Sequence, residues 1–210
     1  MKNYISGILT LSLLFSLSCK KKSENPAIQT EEPKDEIIYS EFKSGITIQS
    51  VLSYSFNNSA CAYTYPLPSD STTTYNLDVN GDQVADYLLK ASHSLYTGSE
   101  YCGHCPTYNY LVVISALNSQ SSLAAQNTSP GAKIFKESIV IGQENVWVNS
   151  IALRLQQCSA SWDFSAGYVG VKIGNNFGYI RINPLSTNGI QIQEVGFNKT
   201  ANRPITSGQK

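Results

Sequence analysis

Asp78-Val79-Asn80-Gly81-Asp82-Gln83-Val84-Ala85-Asp86 lies between two runs with strand-like patterning. Tyr75, Leu77 and Val79 lead in at a period of two, and residues 84–91 lead out as a further strand. Period two marks a half-buried β-strand, so this stretch reads as a loop joining two strand ends. Its oxygen-bearing side chains fall at loop positions one, three, five and nine. A chain that curls on itself can aim such oxygens at one point, and calcium takes six to eight oxygen ligands. The expected ligand set is Asp78, Asn80, Asp82 and Asp86 through side chains and Val84 through its carbonyl. An EF-hand wants Gly at position six and a bidentate Glu at position twelve. This chain has Gln83 and Leu89 there, so an EF-hand is excluded. The competing reading is a plain turn, since Asp, Asn and Gly favour turns by themselves. No Lys or Arg lies inside the loop to balance its carboxylates, which favours a structural calcium ion.

Outward from the loop, the same period recurs. Ile46, Ile48, Leu52, Tyr54 and Phe56 share one parity, which predicts a strand with one buried face. Residues 62–68, with two Tyr and two Pro, suit an edge or a loop. Residues 108–117 are strongly apolar, with β-branched Val112, Val113 and Ile114 at their centre, and predict a central strand buried on both faces. Residues 133–141 and 146–155 read as two more strands, with Trp147, Ile151, Leu153 and Leu155 on one face of the second. Residues 161–164 read as a further short strand. Gly174-Asn175-Asn176 joins residues 168–173 to 177–182 as a tight hairpin, because Gly and Asn tolerate positive φ. Val169, Val171 and Ile173 would line one face of it, and Ile180 and Ile182 the matching one. Ile190, Ile192 and Phe197 belong to a last strand, with Gly196 as a candidate bulge. Residues 92–107 read as a polar excursion, and residues 121–126 as the one place where a short helix could start. Many short strands separated by turn signals predict an all-β fold, a β-sandwich of jelly-roll type.

The amino-terminal end sets the compartment. Lys2 precedes an apolar run over residues 5–17, then Ser18 and Cys19. A basic start, an apolar centre and a small residue before the cut describe a secretory signal, and the run is too short to span a bilayer as a helix. This end resembles a bacterial lipoprotein signal, in which the Cys is acylated and becomes the first mature residue. Ser16 stands where that pattern usually has Leu, with Leu17 one place later. An ordinary signal peptide with an incidental Cys is the alternative. The resemblance implies residues 1–18 as signal peptide and Cys19 as the lipidation site, with the membrane as partner through its acyl chains. Residues 19–36 are polar, with Pro26 and Pro33, and read as a disordered tether. Residues 37–210 remain as a single sandwich domain. The expected location is the cell envelope, as an outer-membrane lipoprotein facing the periplasm or the outside.

The chain carries 15 basic and 15 acidic residues. Without a basic face there is no electrostatic footprint for nucleic acid. Beyond Cys19 the cysteines are Cys61, Cys102, Cys105 and Cys158. Four cysteines in an exported chain read as disulfides. The preferred pairing is Cys102 with Cys105 and Cys61 with Cys158; pairing Cys61 with either member of the close pair stays open. Cys102-Gly103-His104-Cys105 matches the four letters of a disulfide-isomerase active site. That chemistry needs a low-pKa thiolate at a helix start in an α/β setting, and strand-like residues surround this motif. A zinc site built from the four thiolates and His104 is a second alternative.

The carboxyl-terminal part carries another resemblance. Phe177-Gly178-Tyr179-Ile180-Arg181-Ile182, then Gly196-Phe197-Asn198-Lys199-Thr200, then Pro204-Ile205, is similar to a family of uncharacterised secreted β-domains and lipoproteins of Gram-negative bacteria. In those, an Asp/Asn calcium-type loop precedes a strand early in the domain, and an aromatic-Gly-aromatic strand and a Pro-Ile tail close it. Here Phe177 and Tyr179 hold the two aromatic places. The resemblance covers roughly residues 73–208, its motifs are short, and it implies the fold without implying an activity.

For function, no Gly-x-Ser-x-Gly, His-Glu-x-x-His or phosphate-binding Gly loop occurs. The expected role is an envelope-anchored binding or adhesion module whose ligand lies in the envelope or outside the cell. Tyr63, Tyr65, Tyr96, Tyr101, Tyr108 and Tyr110 crowd the middle of the chain. A glycan ligand would suit them, and so would a strand surface covering a small core. The alternative is an enzyme, either a thiol-disulfide oxidoreductase at Cys102 and Cys105 or a carbohydrate-active protein. His93 reads as a side chain on a strand face.

Overall fold

Gly174 reverses the chain at a φ of 59°, a left-handed conformation without steric cost for a residue that lacks Cβ. It closes the hairpin that Gly-Asn-Asn predicts. The computed structural model describes residues 34–50, 56–57, 62–63, 70–96, 107–127, 131–156, 161–185 and 188–210. In chain order the strands are β1 (Ile37–Gln49), β2 (Phe56–Asn57), β3 (Ala62–Tyr63), β4 (Ser71–Leu77), β5 (Tyr87–Tyr96), β6 (Thr107–Ala116), β7 (Ser121–Ala125) and β8 (Ile134–Phe135). They continue with β9 (Val140–Ile141), β10 (Val146–Val148), β11 (Ser150–Gln156), β12 (Ser161–Trp162), β13 (Gly167–Ile173), β14 (Asn176–Leu185), β15 (Gly189–Asn198) and β16 (Ile205–Thr206). No helix occurs among the described residues, so the all-β expectation holds.

Two antiparallel sheets dominate. The larger runs β1-β15-β14-β13-β7-β10, with β8 on β13; the smaller runs β12-β11-β6-β5-β4. Their inner faces share one core. Leu77, Tyr87, Leu89, Val112, Ile114, Ile151 and Leu153 come from the smaller sheet, and Leu123, Val169, Val171, Ile180, Ile182, Ile190 and Ile192 from the larger. Each such side chain contributes about 1.5–3 kcal/mol on leaving water, and their alternation fixes the register, since a one-residue slip would expose a whole face. Tyr87 ties the layers together. Its hydroxyl donates across the core towards the carbonyls of Ser122 (3.1 Å) and Lys172 (3.0 Å).

The larger sheet is covered on its outer face as well. Ala124, Phe135, Ile141, Tyr168, Phe177, Tyr179 and Ile205 form a second apolar cluster. The two-stranded pair β9–β16 and the chain end close over it, with Tyr179 Oη donating to the Gln209 carbonyl at 2.8 Å. Gly196 is explained here. A Cβ at that position would come within 2.5 Å of the Tyr179 ring, so the aromatic lies flat where only glycine fits.

Several local expectations change. The strand order is mostly a meander of sequence neighbours, β4-β5-β6 and β13-β14-β15, rather than the alternation between sheets that defines a jelly roll. Where a helix start is expected over residues 121–126, Ser121–Ala125 form strand β7; Leu123, Ala124 and Ala125 are buried on both sheet faces. Residues 133–141 are not one strand. They divide into β8 and β9 around Ser138, which takes a φ of 64°. Residues 146–155 split at Asn149, where the chain leaves the larger sheet as β10 and enters the smaller as β11. Trp147 therefore packs 5.7 Å from the Phe177 ring in the outer cluster and not beside Ile151. Strand β5 runs on through Tyr96, so residues 92–96 belong to the sheet. The bulge of the last strand sits at Gln193, between the Arg181–Glu194 and Ile182–Ile192 pairs, and not at Gly196.

Candidate functional site

Strand β4 ends at buried Leu77, and Val79, 1 % exposed, plugs the core two residues later. The chain must then reverse to reach β5. The Asp86 N–H donates to the Leu77 carbonyl, and the Asp86 carbonyl accepts from Leu117 N–H, both at 2.9 Å. Between these fixed points the loop folds around its own side chains. Asp78 Oδ1 accepts from Gly81 N–H (2.7 Å) and Oδ2 from Gln83 N–H (2.8 Å). Asn80 Oδ1 accepts from Asp82 N–H (2.9 Å), and Asp82 Oδ1 from Val84 N–H (2.8 Å). Asp86 Oδ2 accepts from Val79 (2.9 Å) and Asn80 (3.4 Å). Short side-chain oxygens that hold backbone N–H groups a few residues on are the mechanism by which Asp and Asn make turns. Position six, glycine in an EF-hand, shows why that residue matters: Gln83 takes a φ of 69° and Gly81 a φ of 75°. Gln83 thus supplies a left-handed backbone at some cost in strain.

All five expected ligands therefore belong to one turn. Val84 is 63 % exposed, with its N–H on Asp82. The carboxylates lean on N–H donors, and among the described residues no group of three or more His, Cys, Asp or Glu side chains converges as a metal centre. Each carboxylate oxygen still has a second lone pair, and Asp86 Oδ1 makes no hydrogen bond among the described residues. No ion pair reaches Asp78, Asp82 or Asp86 within the described residues. Asp86 is 3 % exposed. Burial raises its pKa; the N–H groups of Val79 and Asn80 pull it back in part, and the charges of Asp78 and Asp82 push it up again. The donor set is all oxygen, which suits a hard cation.

The other expected site residues fall elsewhere. Cys19, Cys61, Cys102, Cys105, Cys158 and His104 lie outside the described residues. So do Tyr65 and Tyr101. His93 is 2 % exposed on β5 with its ring 6.2 Å from Tyr110, a core position, as a strand-face reading predicts.

Two polar groupings escape sequence reasoning. On the outer face of the larger sheet, Glu41, Glu194 and Arg181 align across β1, β15 and β14. Glu194 is 3 % exposed, accepts from Tyr39 Oη (3.1 Å) and pairs with Arg181 (3.5 Å). The bulge at Gln193 re-aims this carboxylate. A parity slip marked it: Ile190 and Ile192 are even, Val195 and Phe197 odd, and all four face the same core.

The second grouping lines a cleft of about 760 Å³ at the edge where the sheets part. On the β11 side, Arg154 is buried and forks onto Asp163, with Nε at 2.9 Å from Oδ1 and Nη2 at 2.6 Å from both carboxylate oxygens. Asp163 also accepts from Phe164 N–H at 2.7 Å. On the larger-sheet side, Lys133 Nζ donates to Asn145 Oδ1 at 2.7 Å and lies 4.8 Å above the Phe135 ring. Asn145 Nδ2 in turn donates to the Gly142 carbonyl (3.0 Å) and Glu144 (3.2 Å). These residues are spread over residues 133–163 with no short motif among them. Comparison of the chain with family models, curated proteins and solved structures gave no match.

Proposed function

We propose that this chain is an envelope-anchored lipoprotein whose β-sandwich is braced by calcium at residues 78–86 and serves as a binding module. The observation that carries the calcium reading is electrostatic. Three carboxylates share one turn at a strand junction without an ion pair among the described residues, while Asp163 and Glu194 elsewhere each have an Arg. A divalent cation would neutralise the turn and draw Asp86 Oδ1, Asn80 Oδ1 and the Val84 carbonyl inward. The brace would act where it matters for the fold, because Asp86 leads directly into Tyr87, the residue that spans both sheets.

The anchor reading rests on the run over residues 5–17 followed by Ser18-Cys19. A rigid sandwich on a polar tether is suited to presenting loops and clefts to a ligand while the lipid holds it at the membrane. Isothermal titration of calcium into the full chain tests the metal: one site is expected in the parent and none in Asp82→Ala. No heat in the parent removes calcium from the account. Detergent-phase partitioning with Cys19→Ser tests the anchor: loss of acyl mass at the amino-terminal peptide is expected, and an unchanged peptide mass contradicts it.

A further inference from the structure

We propose that the cleft between Lys133 and Asp163 binds a neutral, hydroxyl-rich chain, an oligosaccharide, laid across the edge where the two sheets separate. This rests on the reading of the domain as a binding module and places the ligand away from the Tyr-rich strands. The volume, about 760 Å³, falls in the usual range for ligand sites. Its polar groups are also clamped from behind before any ligand arrives. Asp163 lines the cleft and is 60 % exposed, yet three hydrogen bonds from buried Arg154 and one from Phe164 N–H fix its plane. Asn145 lines it at 7 % exposure and is gripped by Gly142, Glu144 and Lys133. Surface side chains with no task keep their rotamer freedom. Groups held this way have lost it already, so a ligand that meets them loses less on binding.

Charge then selects the ligand class. The charged side chains of the lining are Lys133, Glu144 and Asp163, and Arg154, buried behind the lining, offsets the Asp163 carboxylate. A polyanion would meet Asp163 and Glu144, and a polycation would meet Lys133; a chain of hydroxyls is accepted by both kinds of group. A hydroxyl donates to the second lone pairs of Asp163 and accepts from the remaining protons of Lys133 Nζ. Gln126 adds an exposed amide at the mouth.

The test is titration of the full chain, purified in detergent, with neutral hexasaccharides (malto-, cello-, xylo- and chito-oligomers) and with a hexagalacturonate. Ser165→Trp fills the mouth from an exposed position, and Lys133→Ala removes one donor from another. At least one neutral hexasaccharide is expected to bind, and both variants to weaken it at least tenfold, Ser165→Trp with the parent melting midpoint retained. Binding that survives both variants overturns the cleft while leaving a binding module elsewhere. Absence of binding by every neutral chain overturns the cleft's ligand class, and so does tighter binding of hexagalacturonate.

Discussion

The turn at residues 78–86 and the cleft at Asp163 hold carboxylates in opposite ways. Asp163 has its cation within the chain: Arg154 is buried beneath it and forks onto both oxygens. Asp78, Asp82 and Asp86 have only N–H dipoles. The first arrangement is complete as it stands. The second leaves net negative charge at a strand junction, which stands ready for a cation from solution. Replacing Asp by Asn, which removes the charge and keeps an acceptor, should therefore have opposite consequences at the two places.

The largest effect is expected at Asp163. Asp163→Ala leaves Arg154 with a buried charge lacking its carboxylate, and a broken buried pair costs about 3–5 kcal/mol. Water reaches the Asp163 side, so about 2–3 kcal/mol is expected, read as a fall in denaturant midpoint. Asp163→Asn should behave nearly as badly, because the charge on Arg154 remains. Asp86→Ala strips the acceptor from the N–H groups of Val79 and Asn80 and should cost about 1–3 kcal/mol. Asp86→Asn keeps an acceptor and removes a charge from a crowded site. In chelator it should match or exceed the parent. A loss equal to that of Asp163→Asn would erase the distinction between the two regions.

The pH dependence sharpens the same contrast. Burial acts to raise Asp163, but the Arg154 hydrogen bonds, the Phe164 N–H and the Arg154 charge outweigh it and hold the pKa below 3.8. A group lowered on folding contributes stability that is present above its unfolded value and fades as pH falls through the folded one. Asp86 is raised above 3.8. The metal-free fold therefore binds its proton more tightly than the unfolded chain, and stability falls as pH rises from 3.8 through the folded value. Urea midpoints across the acid range in chelator should show Asp86→Asn flattening the second slope and Asp163→Asn removing the first. Calcium should reverse the Asp86 slope, since a bound cation inverts local proton affinity.

The smallest effect concerns the backbone. Gln83 sits at a φ of 69°, where a side chain costs about 1–2 kcal/mol and glycine nothing. Glycine loses more entropy on folding, so Gln83→Gly should stabilise by only about 0.5 kcal/mol. A loss instead would mean that the Gln83 side chain holds the turn.

Much of this body is legible in the chain. Gly174-Asn175-Asn176 and the apolar run of β6 act within a few residues and mark a hairpin and a central strand, and Asp, Asn and Gly mark the turn between β4 and β5; the expected burial of β6 on both faces gives way to one, with Val112 and Ile114 buried and Leu117 45 % exposed. What escapes has long-range causes. Residues 146–155 keep one period through Asn149, because both halves are strands; only the packing of two sheets decides that they part there. Ser121 to Ala125 is too short for period to separate helix from strand. Arg154, Asp163, Lys133 and Asn145 have no shared spacing, since the edge between two sheets brings them together. The Gln193 bulge was present as a parity slip between Ile192 and Val195, readable only once both are known to face one core.

The most direct test is the thermal midpoint of the full chain in chelator, in calcium at one hundred times its dissociation constant, and in magnesium at the same concentration. One-site linkage predicts about 2.7 kcal/mol of added stability from calcium, less from magnesium, and none in Asp86→Asn. Identical midpoints in all three solutions would show that the turn at residues 78–86 holds itself together with N–H donors alone and has no use for a cation.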